Sequence, residues 1–434
     1  MVVSRRRFVR VTAGAACAAA LPVLRGGAAR AIDEAPRPAP GASAAEVAAD
    51  DSYWAHIQSA FDVDRTYINL NNGGCSPSPR PAMESLWRHE AYSNLAPVHH
   101  MWDVLEPRRE SVRESLARLF GSDAEEMALT RNATESLQTC LLGIELKRGD
   151  EILTTDQDYP RMLAAIRQRA RREGVVLRTF PLPTPARSMD ELTARYEEHI
   201  TPRTRLILAC HCNFLNGQIL PIRRIVEAAR RRDIPCVIDG AHAYGQFVFH
   251  RDEIDCDYYG TSLHKWIHAP VGAGFLYVRR PLIRGLWPLM PCEEALEADI
   301  RKFEEIGTHP AANRLAVAEA LAFHRGIGPA RKEARLRYLR NRWAARLAKQ
   351  ERVRLLTNTD AAHSCGLGTF AIEGVDAGEL RKYLFARHRI IVAHIDHPDV
   401  RGIRVTASVY THADEVDRFC EVIESVIRNG LPKG

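Results

Sequence analysis

The sequence predicts an α/β fold: a large domain with a mostly parallel mixed sheet covered by helices, then a smaller α+β domain at the C-terminus. One observation behind this is that short apolar runs alternate with longer amphipathic ones from Glu151 to Val278. Strands alternating with helices build mainly parallel sheets with both faces covered. The other is a change of pattern after about Thr308, where long Arg/Ala/Leu-rich stretches lead into two further apolar runs.

In chain order, Leu129 to Ser136 passes from an apolar segment into a helix, with Asn132 placed as N-cap. Residues 152–155 read as a strand, 161–172 as a helix, 175–177 as a strand and 189–199 as a helix. Then come a strand at 206–209, a helix at 222–231, and strands at 236–238 and 274–278. Helices over 313–325 and 331–350 precede strands at 369–372 and 403–405. The chain thus divides into a leader (1–31), a flexible linker (32–50), an N-terminal arm (51–75), a large domain (76–308) and a small domain (309–434).

The leader accounts for the charge. Arg5, Arg6, Arg7, Arg10, Arg25 and Arg30 face no acid within residues 1–31 and equal the whole formal net charge of +6. A chain starting at Ile32 is neutral, which removes the electrostatic motive for binding nucleic acid. No later stretch approaches the ~20 apolar residues that span a bilayer. Ser4 to Arg10, an Ala-rich run over 11–24 and Ala29-Arg30-Ala31 resemble a twin-arginine export signal, cleaved after translocation. Such signals engage the twin-arginine machinery and serve proteins folded around a cofactor, so the expected location is the periplasm. Residues 32–50, rich in Ala and Pro, read as linker.

Of ten cysteines one leaves with the leader, and the odd remainder leaves at least one unpaired or joined between chains. Cys210-His211-Cys212 is the one cluster close enough for a metal, but strand alternation points His211 away from both thiols, so no metal is expected.

In open parallel sheets ligands collect at the carboxyl ends of strands, and polar residues stand there. Asp239-Gly240-Ala241-His242 follows the run Val237-Ile238. An acid at the end of a buried strand needs a cation. Lys265 lies within Thr261-Ser262-Leu263-His264-Lys265-Trp266. The helix start at Asn132-Ala133-Thr134 offers free N–H groups to an anion. A phosphate cradle, a buried acid and an amine in an apolar pocket are what pyridoxal 5′-phosphate requires.

Together with these, Asn71-Asn72-Gly73-Gly74, Gly307-Thr308-His309-Pro310 and Arg404-Val405-Thr406 resemble the class V aminotransferase family, in its isopenicillin N epimerase-like branch, over roughly residues 50–430. The resemblance implies the fold-type I architecture of pyridoxal-phosphate enzymes and a homodimer with the active site at the subunit boundary. By resemblance, Lys265 forms the Schiff base, Asp239 holds the pyridine nitrogen protonated, and His242 lies near the phenolic oxygen. Ala133, Thr134, Ser262 and His264 hold the phosphate, and Thr308 reaches the phosphate of the neighbouring subunit. Tyr159 stacks on the ring, while Arg404 clamps the substrate carboxylate and Asn72 joins the substrate site.

The outcome of α-proton removal, whether epimerisation, transamination or elimination, stays open, and so does the choice between Asn213 and Asn216 as a cofactor contact. Cysteine desulfurases of the class carry a nucleophilic cysteine ahead of the carboxylate arginine; residues 390–398 have none, and His394 and His397 stand there instead. The expectation is therefore not a desulfurase. Export points to an amino acid or peptide-like metabolite as substrate. The competing reading is a non-catalytic module, against which stand both Lys265 and Asp239.

Overall fold

The computed structural model describes residues 41–432. Residues 1–31, read above as an export signal, and residues 32–40 of the expected linker lie outside the described residues. The second half of the linker differs from expectation. Ala44–Ala48 is a helix closed by a Ser43/Glu46 capping box, with Val47 and Ala48 buried and the Ala48 carbonyl bound by Arg335 at 2.8 Å. The capping pair outweighs the Pro-rich composition just upstream.

The first strand, β1 (Ile68–Asn69), lies outside the large sheet. That sheet holds seven strands: β2 (Met127–Thr130), β3 (Glu151–Thr155), β4 (Val176–Phe180), β5 (Thr204–Cys210), β6 (Cys236–Asp239), β7 (Tyr258–Ser262) and β8 (Gly274–Val278), in the order β2-β8-β7-β6-β5-β3-β4. Strands β3 to β7 are parallel, and β8 runs antiparallel to both its neighbours. Alternate residues of the central strands feed two cores. Ile207, Ala209, Ile238 and Tyr259 enter one, and Leu206, Leu208, Val237 and Tyr258 the other. This is why the runs are continuously apolar rather than alternating. Cys210, Asp239 and Gly260 continue the second series in register, on the face covered by the helix Ala133–Gly143.

The small domain carries an antiparallel sheet. After β9 (Val353–Leu355), β10 (Leu367–Ile372), β11 (Ile390–Ile391), β12 (Ala393–His397) and β13 (Val400–Thr406), its order is β12-β13-β10-β9. Strand β1 pairs with β11, and Asn71 bridges to Thr406, so the arm reaches the site along the small domain. The domain boundary also shifts. The helix Ala311–Ile327 buries Ala311, Leu315, Val317, Ala320 and Leu321 in the large-domain core, so the change of domain falls at Gly328. There φ is +89°, and the next helix, Pro329–Leu347, begins at once.

Candidate active site

Eight of the residues singled out by sequence line one cavity of about 170 Å³: Ala133, Thr134, Tyr159, Asp239, His242, Ser262, His264 and Lys265. All stand at the carboxyl ends of β3, β6 and β7 or at the start of the helix facing them. Among the further lining residues are Gly74, Cys210 and Phe214, to which sequence reasoning gave no role; the first belongs to the Asn-Asn-Gly-Gly motif, and the others lie at and beyond the end of β5.

Close packing makes the cradle. Asn132 caps its helix by accepting from the Glu135 N–H at 2.9 Å, and the Ala133 N–H donates to Ser262 Oγ at 2.9 Å. The Thr134 hydroxyl stands beside them in the lining. Backbone N–H groups at a helix start favour an anion. A Cβ on Gly274 would lie 2.6 Å from the Thr261 carbonyl and 2.7 Å from Asn132 Cα. Gly274→Ala is therefore expected to displace the cap and weaken cofactor binding by roughly tenfold or more, as overpacking costs about 1–3 kcal/mol; spectroscopic titration of the apoprotein with cofactor checks it.

The acid and the amine are both withdrawn from water. Asp239 Oδ1 accepts from the Ala241 N–H at 2.9 Å. Burial pushes the carboxyl up, with that bond and the Lys265 charge opposing. The Lys265 Nζ lies 3.2 Å from His242 Nε2. Burial lowers its pKa to about 8, Asp239 holding it up and Arg404 pushing it further down. The neutral amine is the nucleophile, so capture of pyridoxal phosphate by the apoprotein should accelerate as pH rises through about 8 and level off above it. Stopped-flow absorbance reads this; acceleration continuing to the ordinary lysine range would contradict it.

His242 Nδ1 and His264 Nδ1 are buried without a hydrogen-bond partner among the described residues. Burial lowers both pKa values, that of His264 to about 4, so both rings are neutral near pH 7. Tyr159, 37% exposed, stands edge-on to Phe214 with ring centres 5.5 Å apart.

Arg404 on β13 projects from the small domain. Its guanidinium donates to the Phe214 carbonyl at 2.8 Å and to Asn71 Oδ1 at 3.0 Å. It is 7% exposed and its Nε is buried without a partner. No carboxylate among the described residues pairs with it, and burial lowers its pKa to about 10. A buried guanidinium without an acid calls for an anion from outside.

One placement differs from expectation. Asn72 is 1% exposed; its amide donates to the Asn69 and Thr406 carbonyls, and its oxygen accepts from Tyr410 at 2.7 Å. It is committed to the scaffold, and its neighbour Asn71 is the one bonded to Arg404. Thr308, expected to reach the phosphate of a neighbouring subunit, is exposed and lies outside this chain's own cavity. Of the open pair, Asn213 bonds Gln157 and Asn216 the Leu356 carbonyl, and neither lines the cavity. In the Cys-His-Cys segment Cys210 lines the cavity, while the His211 ring packs against Phe247 and Phe249. His394 lines a separate cleft beside the helix Ala377–His388.

The family model for aminotransferase class-V matches residues 68–419. The chain belongs to this family. It is 33% identical to isopenicillin N epimerase of Streptomyces clavuligerus, over 86% of this chain and 98% of the relative, and 32% identical to that of Amycolatopsis lactamdurans over similar shares. Apo cysteine desulfurase from Thermococcus onnurineus has the same fold, with a TM-score of 0.75 at 22% identity, covering 86% of this chain and 98% of that one. The architecture is that of fold-type I, and the cofactor is pyridoxal 5′-phosphate. The cradle, the buried acid, the amine and the unpartnered imidazole nitrogens all fit it.

The exclusion of cysteine desulfurases does not stand. A probable cysteine desulfurase of Aeropyrum pernix is 26% identical over 86% of this chain and 97% of its own length, and solved desulfurases share the fold. Residues 390–398 proved a poor ground for exclusion: most of them are β11 and β12, fixed by pairing with β1 and β13. Thiols reach the site from elsewhere. Cys210 lines the cavity, and Cys75 Sγ lies 3.7 Å from the His264 carbonyl oxygen.

Proposed function

We propose that the protein is an exported pyridoxal-phosphate enzyme acting at the α-amino carbon of an amino acid or peptide-like metabolite. The observation carrying this reading is a buried, acid-free guanidinium on the small domain, Arg404, held to the carbonyl of Phe214, a residue that lines the cavity together with the depressed amine of Lys265. Bound pyridoxal phosphate supplies an electron sink that makes an α-proton removable. Asp239 holds a proton at the pyridine nitrogen, and the Ala133 start with Ser262 and Thr134 holds the phosphate. Arg404 and Asn71 orient a substrate carboxylate, and Tyr159 with Phe214 covers the mouth against water. The Lys265 amine would take the α-proton and return it, and the neutral His242 ring, 3.2 Å from it, would orient that amine.

The likeness to isopenicillin N epimerases at 33% identity favours return of a proton to the same carbon, that is, epimerisation, over loss of the amine. Transamination and side-chain tailoring are the second reading, supported by the breadth of the family. The homodimer has its own support in the exposed apolar residues Trp87, Leu95, Val98 and Trp102 of the large domain and in the exposed Thr308. Export rests on residues 1–31; no helix of the described residues is long and apolar enough to cross a membrane.

The test is mass spectrometry of an amino-acid and peptide pool, cysteine included, incubated with the mature protein in heavy water. Deuterium at Cα with the amine retained supports epimerisation. Loss of the amine, or sulfur released from cysteine, moves the assignment to the corresponding branch.

A further inference from the structure

The segment carrying Lys265 is gripped on both flanks by residues distant in sequence. On one side the Ser76 N–H donates to the His264 carbonyl at 3.0 Å. On the other the Lys332 amine donates to the Trp266 carbonyl. Three residues after Lys265, His268 has φ +60°, a conformation non-glycine residues rarely hold without support; its Nδ1 lies 3.0 Å from Ser76 Oγ, and the Ala269 N–H closes back on the Leu263 carbonyl at 3.0 Å.

Lys332 is out of place by ordinary rules. It is fully buried, and among the described residues its amine meets the Trp266 carbonyl and, at 3.4 Å, His324 Nδ1. His268, His324 and Cys365 are the titratable groups around it, and no carboxylate among the described residues pairs with it. A packing role alone would be filled at lower cost by an apolar side chain. Lys332 sits in the helix Pro329–Leu347, whose Leu339 and Trp343 belong to the small-domain core. From a helix rooted in the small domain, this side chain therefore ends on the peptide next to Lys265.

We propose that Lys332 is a positioning residue for Lys265: by holding the Trp266 carbonyl it fixes the orientation of the Lys265 amine and ties it to the helix that carries the small domain and, across its sheet, Arg404. The proposal rests on the reading of Lys265 as the Schiff-base lysine.

The test uses the holoenzyme and reads the pH midpoint of its near-visible cofactor band beside steady-state kinetics. Lys332→Met removes the donor while keeping the length; the expected result is a midpoint moved by about 1 pH unit, a tenfold change in that equilibrium, and kcat lowered about tenfold with KM little changed. Lys332→Gln, which keeps a donor, should stay near wild type. A wild-type midpoint in K332M, or equal displacement in K332M and K332Q, would overturn the proposal. If K332M does not fold, K332A is read in the same way. Lys265→Ala serves as control: a borohydride-bleachable band surviving in it would overturn the reading of Lys265 itself.

Discussion

Replacing Lys265 with alanine is expected to abolish exchange of the substrate α-proton, lowering the rate by at least about 10³-fold, the scale of a positioned proton-transfer group. The cofactor should still enter, because its other holders are independent of the lysine: the Ala133 helix start with Ser262 and the buried Asp239. The variant is therefore expected to bind cofactor reversibly, without a band that borohydride bleaches, and to remain folded. The removed side chain lines a cavity rather than filling a core. Exchange in heavy water, followed by mass spectrometry, measures the loss. A variant retaining more than about a tenth of the wild-type exchange would move the base to another group, with His242, 3.2 Å away, the first to examine.

Arg404→Met should cost about 3 kcal/mol in kcat/KM for carboxylate substrates, roughly two orders of magnitude, as expected when one member of a buried charged contact is removed. The effect has a second signature with a definite sign. Arg404 is among the charges pushing the Lys265 amine down to about 8. Taking that charge away stabilises the ammonium and raises its pKa, so the alkaline rise in cofactor capture should move to higher pH. Substrate amides lacking the carboxylate should be nearly indifferent to the substitution. Equal losses for acids and amides would mean that Arg404 holds the Phe214 carbonyl and Asn71 in place rather than binding substrate.

The large domain was legible because its central strands are buried on both faces. Runs such as Val237-Ile238 have no polar partner, and Asp239 marks where the run meets the site. The helix start at Ala133 was legible for a related reason, since Asn132 caps it by its own side chain. The arm and the small domain were harder. Asn71 and Asn72 are neighbours of one residue type, and only contacts across more than 300 positions, to Thr406, Tyr410 and Arg404, decide which is bound into the scaffold and which meets the Arg404 guanidinium. The helix Ala311–Ile327 reads like its neighbour Pro329–Leu347 in composition, yet the two bury their apolar faces in different domains. The desulfurase expectation failed because a missing cysteine in one linear stretch says nothing about thiols the fold brings in from Cys75 or Cys210.

The most direct measurement is to load the protein with pyridoxal phosphate, reduce it with borohydride, digest it and locate the label by mass spectrometry. The sequence contains seven lysines, and burial of a second amine, Lys332, makes the outcome informative. The geometry predicts pyridoxyl on Lys265 alone. Label on Lys332 or another lysine, or no reducible label in a protein that has bound the cofactor, would contradict it.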